Sequence, residues 1–453
     1  MKMLLTISLA VLLIFAAAQA EDYTWSDNGD GTCTITDYTG PGGDVIVPDT
    51  LGGLTVTAIG DLAFYECDWV SSVTIHDSVI SIGYEAFLQA EGLLGIIVVP
   101  ANPAFSSVDG VLFNKDQTEL FRYPAAKTEA FYDIPDSVMA IGKTAFEACS
   151  GLTSATIPAG VISIGDRVFH NCENLSNITV DEANPAYMSE AGVLFDKNQT
   201  EIIKYSPAML GDSYTVPNTV TSITDFAFVQ STNLTSVIIP DSVTAIGTAL
   251  FAMCTNLPEI TVDPANPAYM SKAGVLFNKS QTELVEYPPG KAGGYTIPDS
   301  VIAVRYGAFA TSINLTSVIT PDSVTSIGDY AFAWCQNLTG VYFRGDTPTL
   351  GGVDVFEDSD NATVYYIPET VGWGPTFGGR PTAEWPPSPA DADLNYEVDF
   401  YDFSVLAGQW DQTDCNASND WCQWADFDQS GAVDPGDLAL LADDWLYGIA
   451  PCR

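Results

Sequence analysis

Apolar and polar positions alternate along most of this chain in short runs, and the runs recur. Val237-Ile-Ile239 is followed by the turn residues Pro240-Asp-Ser242. A second short run, Val243-Thr-Ala-Ile-Gly247, leads into Ala249-Leu-Phe251 and then Leu257 to Val262, where the pattern restarts after about 23 residues. Alternation of this kind places every second side chain of a short strand on one face. Pro-Asp-Ser breaks the run as turn chemistry requires. Close copies begin at Val73, Ala155 and Val318. Ile-Gly followed by Ala-Phe predicts a second short strand and a tight helical or 3₁₀ turn on the opposite face.

A longer period contains the short one. Asn102, Asn184 and Asn266 sit in an Ala-Asn-Pro-Ala-aromatic word at intervals of 82 residues, and Gly110, Gly192 and Gly274 open Gly-Val-Leu-Phe at the same interval. Such units bury their apolar faces only against neighbours, so they stack as a solenoid, an architecture used far more for binding than for catalysis. Alternate short repeats carry an insertion of about 35 residues. Within it, Gly192 to Tyr205 predicts a β-hairpin flap around an Asp-Lys-Asn-Gln turn. The ordered words Ile-Pro-Asp-Ser-Val, Ser-Ile-Gly, Ala-Phe and Cys-x-Asn-Leu resemble the BspA-type leucine-rich repeats of secreted bacterial proteins, over roughly Val45 to Phe343. The expected fold is therefore a repeat solenoid, β-rich and leucine-rich with inserted β-hairpin flaps, followed by a small all-α, EF-hand-like C-terminal domain.

The domain reading is a leader at 1–20, an N-terminal cap at 21–57 and a solenoid at 58–343 made of three units of about 82 residues. A C-terminal cap follows at 344–385, then a stiff Pro-rich linker at 386–390 and the terminal domain at 391–453. The leader has Lys2, an apolar stretch from Leu4 to Ala18 and a small-x-small site at Ala18-Gln-Ala20, which is the form of a secretory signal. No later segment reaches the 18 to 20 continuous apolar residues of a membrane span. Extracellular localisation, secreted or at a bacterial cell surface, follows, with no membrane insertion. The net charge of −43, with only 15 basic residues, argues against nucleic acid as a partner.

Metal chemistry concentrates at the C-terminus, where Asp391 to Arg453 holds fourteen acidic residues and a single basic one. Asp426, Asp428, Ser430, Asp434 and Asp437 put oxygens at positions 1, 3, 5, 9 and 12 of an EF-hand-type loop, with the carbonyl of Ala432 at position 7 and Gly431 at the sharp turn. That donor set suits calcium. A second candidate, Asp393, Asn395, Glu397, Asp399 and Asp402, is only ten residues long and lacks the turn glycine and the position-7 carbonyl. The aspartate at position 12 and the Leu-Ala-Leu-Leu helix behind it resemble a type I dockerin. That resemblance implies docking to a cohesin-like module or surface scaffold protein through Phe403, Ser404, Val405, Leu438, Ala439 and Leu440.

Other candidates point less sharply. Cys67, Cys149, Cys172, Cys254 and Cys335 share a register with Ala90, Ser231 and Ser312, a pattern of small buried side chains rather than metal ligands. One disulfide among Cys415, Cys422 and Cys452 is plausible chemistry for an exported module, with the pairing left open. His76 and His170 read as surface or turn histidines. Phe105, Tyr187 and Tyr269, with Tyr123, Tyr205 and Tyr287, either anchor the flaps or form a sugar-stacking row. The reading is a secreted binding protein without catalytic residues, its solenoid recognising an unknown protein or glycan. A component of an extracellular polysaccharide-degrading complex and a freely secreted adhesin are the alternatives.

Overall fold

The computed structural model describes residues 21–83, 85–386, 400–413, 415–416, 422 and 424–446. The leader, most of the first calcium-loop candidate and Cys452 lie outside them. The described chain divides into two compact units, one running up to Leu234 with Ser242–Cys254 added, the other comprising Thr235–Asp241 and residues from Thr255 onward.

The first unit opens with an antiparallel pair, Tyr23–Asp27 against Thr32–Tyr38. Gly29 and Gly31 take positive φ of 82° and 89° in the connecting turn, where a side chain would be strained. Beyond it the chain is a β-solenoid. Four-residue strands stack in parallel on one side, as Ser154–Ile157 does on Asn177–Val180. Two-residue strands stack in parallel on another, as Ala140–Ile141 does on Ser163–Ile164.

Between successive strands the Ala-Phe segment is a chain of turns rather than the helical or 3₁₀ turn expected. Thr144 and Ala148 occupy the left-handed region at φ 54° and 61°, and Arg167 and Asn171 repeat the arrangement one rung later at 54° and 57°. Non-glycine residues there carry a cost of about 1–2 kcal/mol each. Hydrogen bonds between rungs offset it: the amides of Thr144, Phe146 and Ala148 donate to the carbonyls of Asp166, Val168 and His170 at 3.0, 2.9 and 2.9 Å.

Aromatic rings run through the interior of each unit. In the first, Tyr123, Phe146 and Phe169 stack at centroid distances of 5.3 and 5.0 Å. In the second, Phe309, Phe332 and Phe356 stack at 5.0 and 5.2 Å.

The repeat cysteines are buried free thiols, as their register predicted. The reason is visible one rung back. The Cys172 thiol donates to the Phe146 carbonyl at 2.8 Å, Cys254 to Phe228 at 3.1 Å and, in the second unit, Cys335 to Phe309 at 3.0 Å.

The inserted β-hairpins expected from the sequence are present, and they are built into the solenoid wall. Val193–Asp196 pairs antiparallel with Tyr187–Glu190 on one side and Glu201–Tyr205 on the other, and the last of these continues in parallel into Ser222–Ile223. Val193, Leu194 and Phe195 are all buried. Three consecutive buried positions mean that both faces of this strand are covered, so the insertion starts a fresh sheet within the solenoid wall.

The second unit repeats this order, from Tyr269–Lys272 through Thr349–Leu350 in one sheet. Among its described residues are the helices α1 (Phe400–Gly408) and α2 (Pro435–Leu446).

Candidate functional site

The acidic loop before α2 folds around its own carboxylates. Asp426 Oδ2 accepts the Gly431 amide at 3.0 Å, and its Oδ1 accepts that of Ser430 at 3.0 Å. Gly431 has φ 99°, a conformation that explains glycine at position 6. Carboxylate oxygens of Asp426, Asp428 and Asp437 lie within 4.8 Å of one another, a spacing one cation can bridge. Asp426 and Asp437 are buried at 3% and 0% exposure, whereas Asp428 is exposed. Burial, reinforced by the charge of Asp437, lifts the Asp426 carboxyl above the ordinary aspartate range, against the pull of the Gly431 and Ser430 amides.

The other expected donors divide. Ser430 Oγ donates to the Ala432 carbonyl at 3.3 Å, so positions 5 and 7 lie together. Asp434 instead caps α2: its Oδ1 accepts the Gly436 amide at 2.7 Å, while Asp437 Oδ2 accepts the Asp434 amide at 2.9 Å. With Pro435 as first helical residue, this is a reciprocal N-cap that aligns the loop with the helix.

Of the short loop only Asp402 is described. It is buried in the first turn of α1, as Asp437 is in that of α2. Asp393, Asn395, Glu397 and Asp399 lie outside the described residues.

Phe403 and Leu438 stand in equivalent places on the two helices and are 44% and 38% exposed. Ser404 and Ala439 are exposed as well. Val405 and Leu440 instead pack partly against a small core of Leu406, Phe427, Val433 and Leu441. Cys415 bonds to Cys422, the pairing that spacing had left open.

The aromatic candidates prove to be anchors. Tyr123, Tyr205 and Tyr287 are buried, as are Phe105 and Tyr269, and Tyr187 is half-buried. They form no exposed stacking row. His76 remains a turn residue, 3.4 Å from Asp49.

His170 is more than a turn residue. It lines a cavity of about 790 Å³ in the first unit, together with Lys143, Arg167, Tyr187, Lys204 and Phe226. Burial, followed by the charges of Lys204 and Arg167, pushes the imidazole down to about 3. Burial also pushes the Lys204 ammonium down to about 8, while the Cys172 and Cys254 thiols act in the opposite sense. Arg167 lies over the Phe226 ring at 4.4 Å. The cavity sits where two sheets part. Ser163–Ile164 ends one sheet and Tyr187–Glu190 begins the next, and the Ile164 amide donates to the Tyr187 hydroxyl at 3.0 Å. None of this was evident from sequence, because the lining residues come from separate stretches of chain between Glu85 and Gly247.

Stacked parallel rungs, a thiol-to-carbonyl ladder and an aromatic spine define a leucine-rich β-solenoid. The chain belongs to the BspA type leucine rich repeat family, whose profile matches six copies across residues 52–115, 119–206, 208–288 and 293–372. That profile describes a repeat region rather than an enzyme.

Among solved structures the chain is similar to a leucine rich cell surface protein from Faecalibacterium prausnitzii, with 25% identity, a TM-score of 0.37, and coverage of 72% of this chain and 94% of that one. It is also similar to the pneumococcal vaccine antigen PcpA, with 18% identity, a TM-score of 0.39, and coverage of 80% and 96%. A leucine-rich repeat protein from Eubacterium ventriosum matches at 21% identity and a TM-score of 0.39, covering 71% and 91%. No curated protein matches the chain.

Proposed function

We propose that this is an exported, non-enzymatic binding protein whose repeats recognise a protein or glycan and whose terminal module is a calcium-dependent, dockerin-like tether. The observation that carries the tether is the convergence of Asp426, Asp428 and Asp437 within 4.8 Å, two of them buried. Three carboxylates in that space repel one another, and the only basic residue from Asp391 onward is Arg453. A divalent cation relieves the repulsion, and oxygen ligands at this spacing select a hard one. Asp426, Asp428, Ser430, the Ala432 carbonyl and Asp437 would hold it, with Asp434 acting through water.

Calcium bound there fixes the entry to α2, and with it Leu438 and Ala439. Phe403 and Ser404 offer the matching positions on α1. These exposed residues form the surface through which a cohesin-like module or surface scaffold would dock.

The test is binding of the full chain to immobilised cohesin modules, in calcium and in a chelator. Retention in calcium and release by chelator is the expected result. Retention that is indifferent to chelator would refute a calcium-dependent tether.

A further inference from the structure

One position is filled differently in the first two 82-residue repeats, and the third has Glu286 there. In the first repeat Arg122 and Glu147 are both buried, with Nη1 3.5 Å from Oε2. The same Glu147 oxygen accepts the Gln89 amide at 3.2 Å. One repeat later Arg122 is replaced by Lys204 (204 − 122 = 82) and Glu147 by Val229 (229 − 147 = 82). The cation has been kept and its carboxylate lost.

Lys204 is 4% exposed, and its Nζ has no hydrogen-bond partner among the described residues. Nδ1 of His170 is buried and unpartnered in the same way; its counterpart in the first repeat is the apolar Leu88 (170 − 88 = 82). An ammonium ion buried without a counter-ion is costly. Lys204 and His170 both line the same open cavity. We propose that this cavity binds a small organic monocarboxylate, whose carboxylate takes the place beside Lys204 that Glu147 holds beside Arg122.

The rest of the lining narrows the ligand. Glu85, Asp166, Asp196, Glu201 and Asp225 border the same space, and Lys143 is already paired with Glu85 at 2.9 Å. Acids in excess repel phosphate esters and other multiply charged anions. They accept hydrogen bonds, so the body of the ligand carries hydroxyl or ammonium donors. Arg167 has one face covered by Phe226, which leaves its N–H edges for the carboxylate. The volume falls within the roughly 300–1,000 Å³ usual for small-molecule sites. A hexuronic acid and a free amino acid both meet this description, sharing one carboxylate and a donor-rich remainder.

The inference deepens the recognition role proposed for the repeats, and its failure leaves the calcium measurement untouched. The test is calorimetry and thermal melting of the full chain with D-galacturonate, with galactose as the uncharged control and L-alanine as the amino-acid arm. Galacturonate or alanine is expected to bind and raise the melting temperature, with galactose at least roughly tenfold weaker, the loss usual for a hydrogen bond to a charged group. Lys204→Met is expected to weaken that binding by a similar factor. Val229→Glu restores the internal partner, so it should close the site to ligand without lowering the melting temperature. Galactose binding as well as galacturonate would overturn the proposal. So would undiminished binding to a folded Lys204→Met protein, or no binding of either carboxylate.

Discussion

The side-chain amide of Asn184 donates to the carbonyl of Val161, 2.9 Å away and 23 residues earlier. The same nitrogen donates to Pro158 at 2.8 Å, while Oδ1 accepts the amides of Ala186 and Tyr187 at 2.9 and 2.8 Å. All four bonds are made with the side chain fully buried. Asn102 repeats the pattern on His76, Val79, Ala104 and Phe105. The Ala-Asn-Pro-Ala-aromatic word is thus a clasp that starts each new sheet from the turn of the rung before it.

Replacing Asn184 by Ala strands two carbonyls and two amides in a buried site. Each unsatisfied buried group costs about 1–3 kcal/mol, and relaxation recovers part of that. Chemical denaturation should show a loss of about 3 kcal/mol or more for Asn184→Ala. Asn184→Asp should lose a comparable amount, because it keeps the acceptor but removes the donor and buries a charge. A loss under about 1 kcal/mol would mean that the clasp is dispensable.

The aromatic spine makes a second measurable demand. Phe146 is fully buried between Tyr123 and Phe169. Phe146→Ala should cost about 3–5 kcal/mol, whereas Phe146→Leu, which keeps most of the volume, should cost less than half as much. Urea unfolding of the two variants beside the parent chain gives the comparison directly.

How much of this was legible before the fold was known depends on how far apart the cooperating residues stand. Strand alternation, the 23-residue rung and the small buried thiols are local patterns repeated many times, so they read clearly. The inserted hairpins also read clearly, as two short strands around a polar turn, while their place in the solenoid wall was less evident. The run Val193-Leu194-Phe195, apolar without alternation, was the signal that both faces are covered. The turn after each Ile-Gly was harder, since left-handed φ at Thr144 and Ala148 leaves no mark on residue type. The cavity was invisible because no short window contains it. Aligning the repeats would have exposed it, since Lys204 without a partner at Val229 differs from Arg122 with Glu147 at two positions only.

The same cavity predicts a pH signature. His170 titrates near 3 in the folded chain, against about 6.5 when unfolded. Between those values the unfolded chain holds the extra proton, so this contribution to stability is lost as pH falls from 6.5 towards 3. Lys204 titrates near 8 when folded and about 10.4 when unfolded. Stability therefore rises with pH across that upper window. Each proton is worth up to about 1.4 kcal/mol per pH unit. Differences against His170→Leu at pH 4 to 7, and against Lys204→Met at pH 8 to 10, isolate the two groups from carboxylates and tyrosines common to all chains. The His170→Leu chain should gain on the parent as pH falls, and the parent should gain on Lys204→Met as pH rises. Flat differences would place both groups in water.

The last prediction separates the two acidic loops at the C-terminus. Asp428 is the exposed member of the three-carboxylate cluster, and its Oδ1 accepts only the local Ser430 amide at 2.9 Å among the described bonds. Asp428→Ala therefore removes a proposed calcium ligand while leaving the module's core of Leu406, Phe427, Val433 and Leu441 intact. Without calcium the variant should melt at or slightly above the parent, since one of three mutually repelling carboxylates is gone. At a calcium concentration about 100 times the dissociation constant, the parent should gain about 2.7 kcal/mol by mass action, and Asp428→Ala should gain little of it. Asp399→Ala should keep most of the gain, because its ten-residue loop lacks a turn glycine and a position-7 carbonyl to bring its oxygens together. Calorimetry should then count one dominant calcium that disappears with Asp428. Two equivalent tight sites would show that the short loop closes by a route its spacing does not reveal. A heat of binding that survives Asp428→Ala unchanged would place the metal elsewhere and remove the basis for the tether.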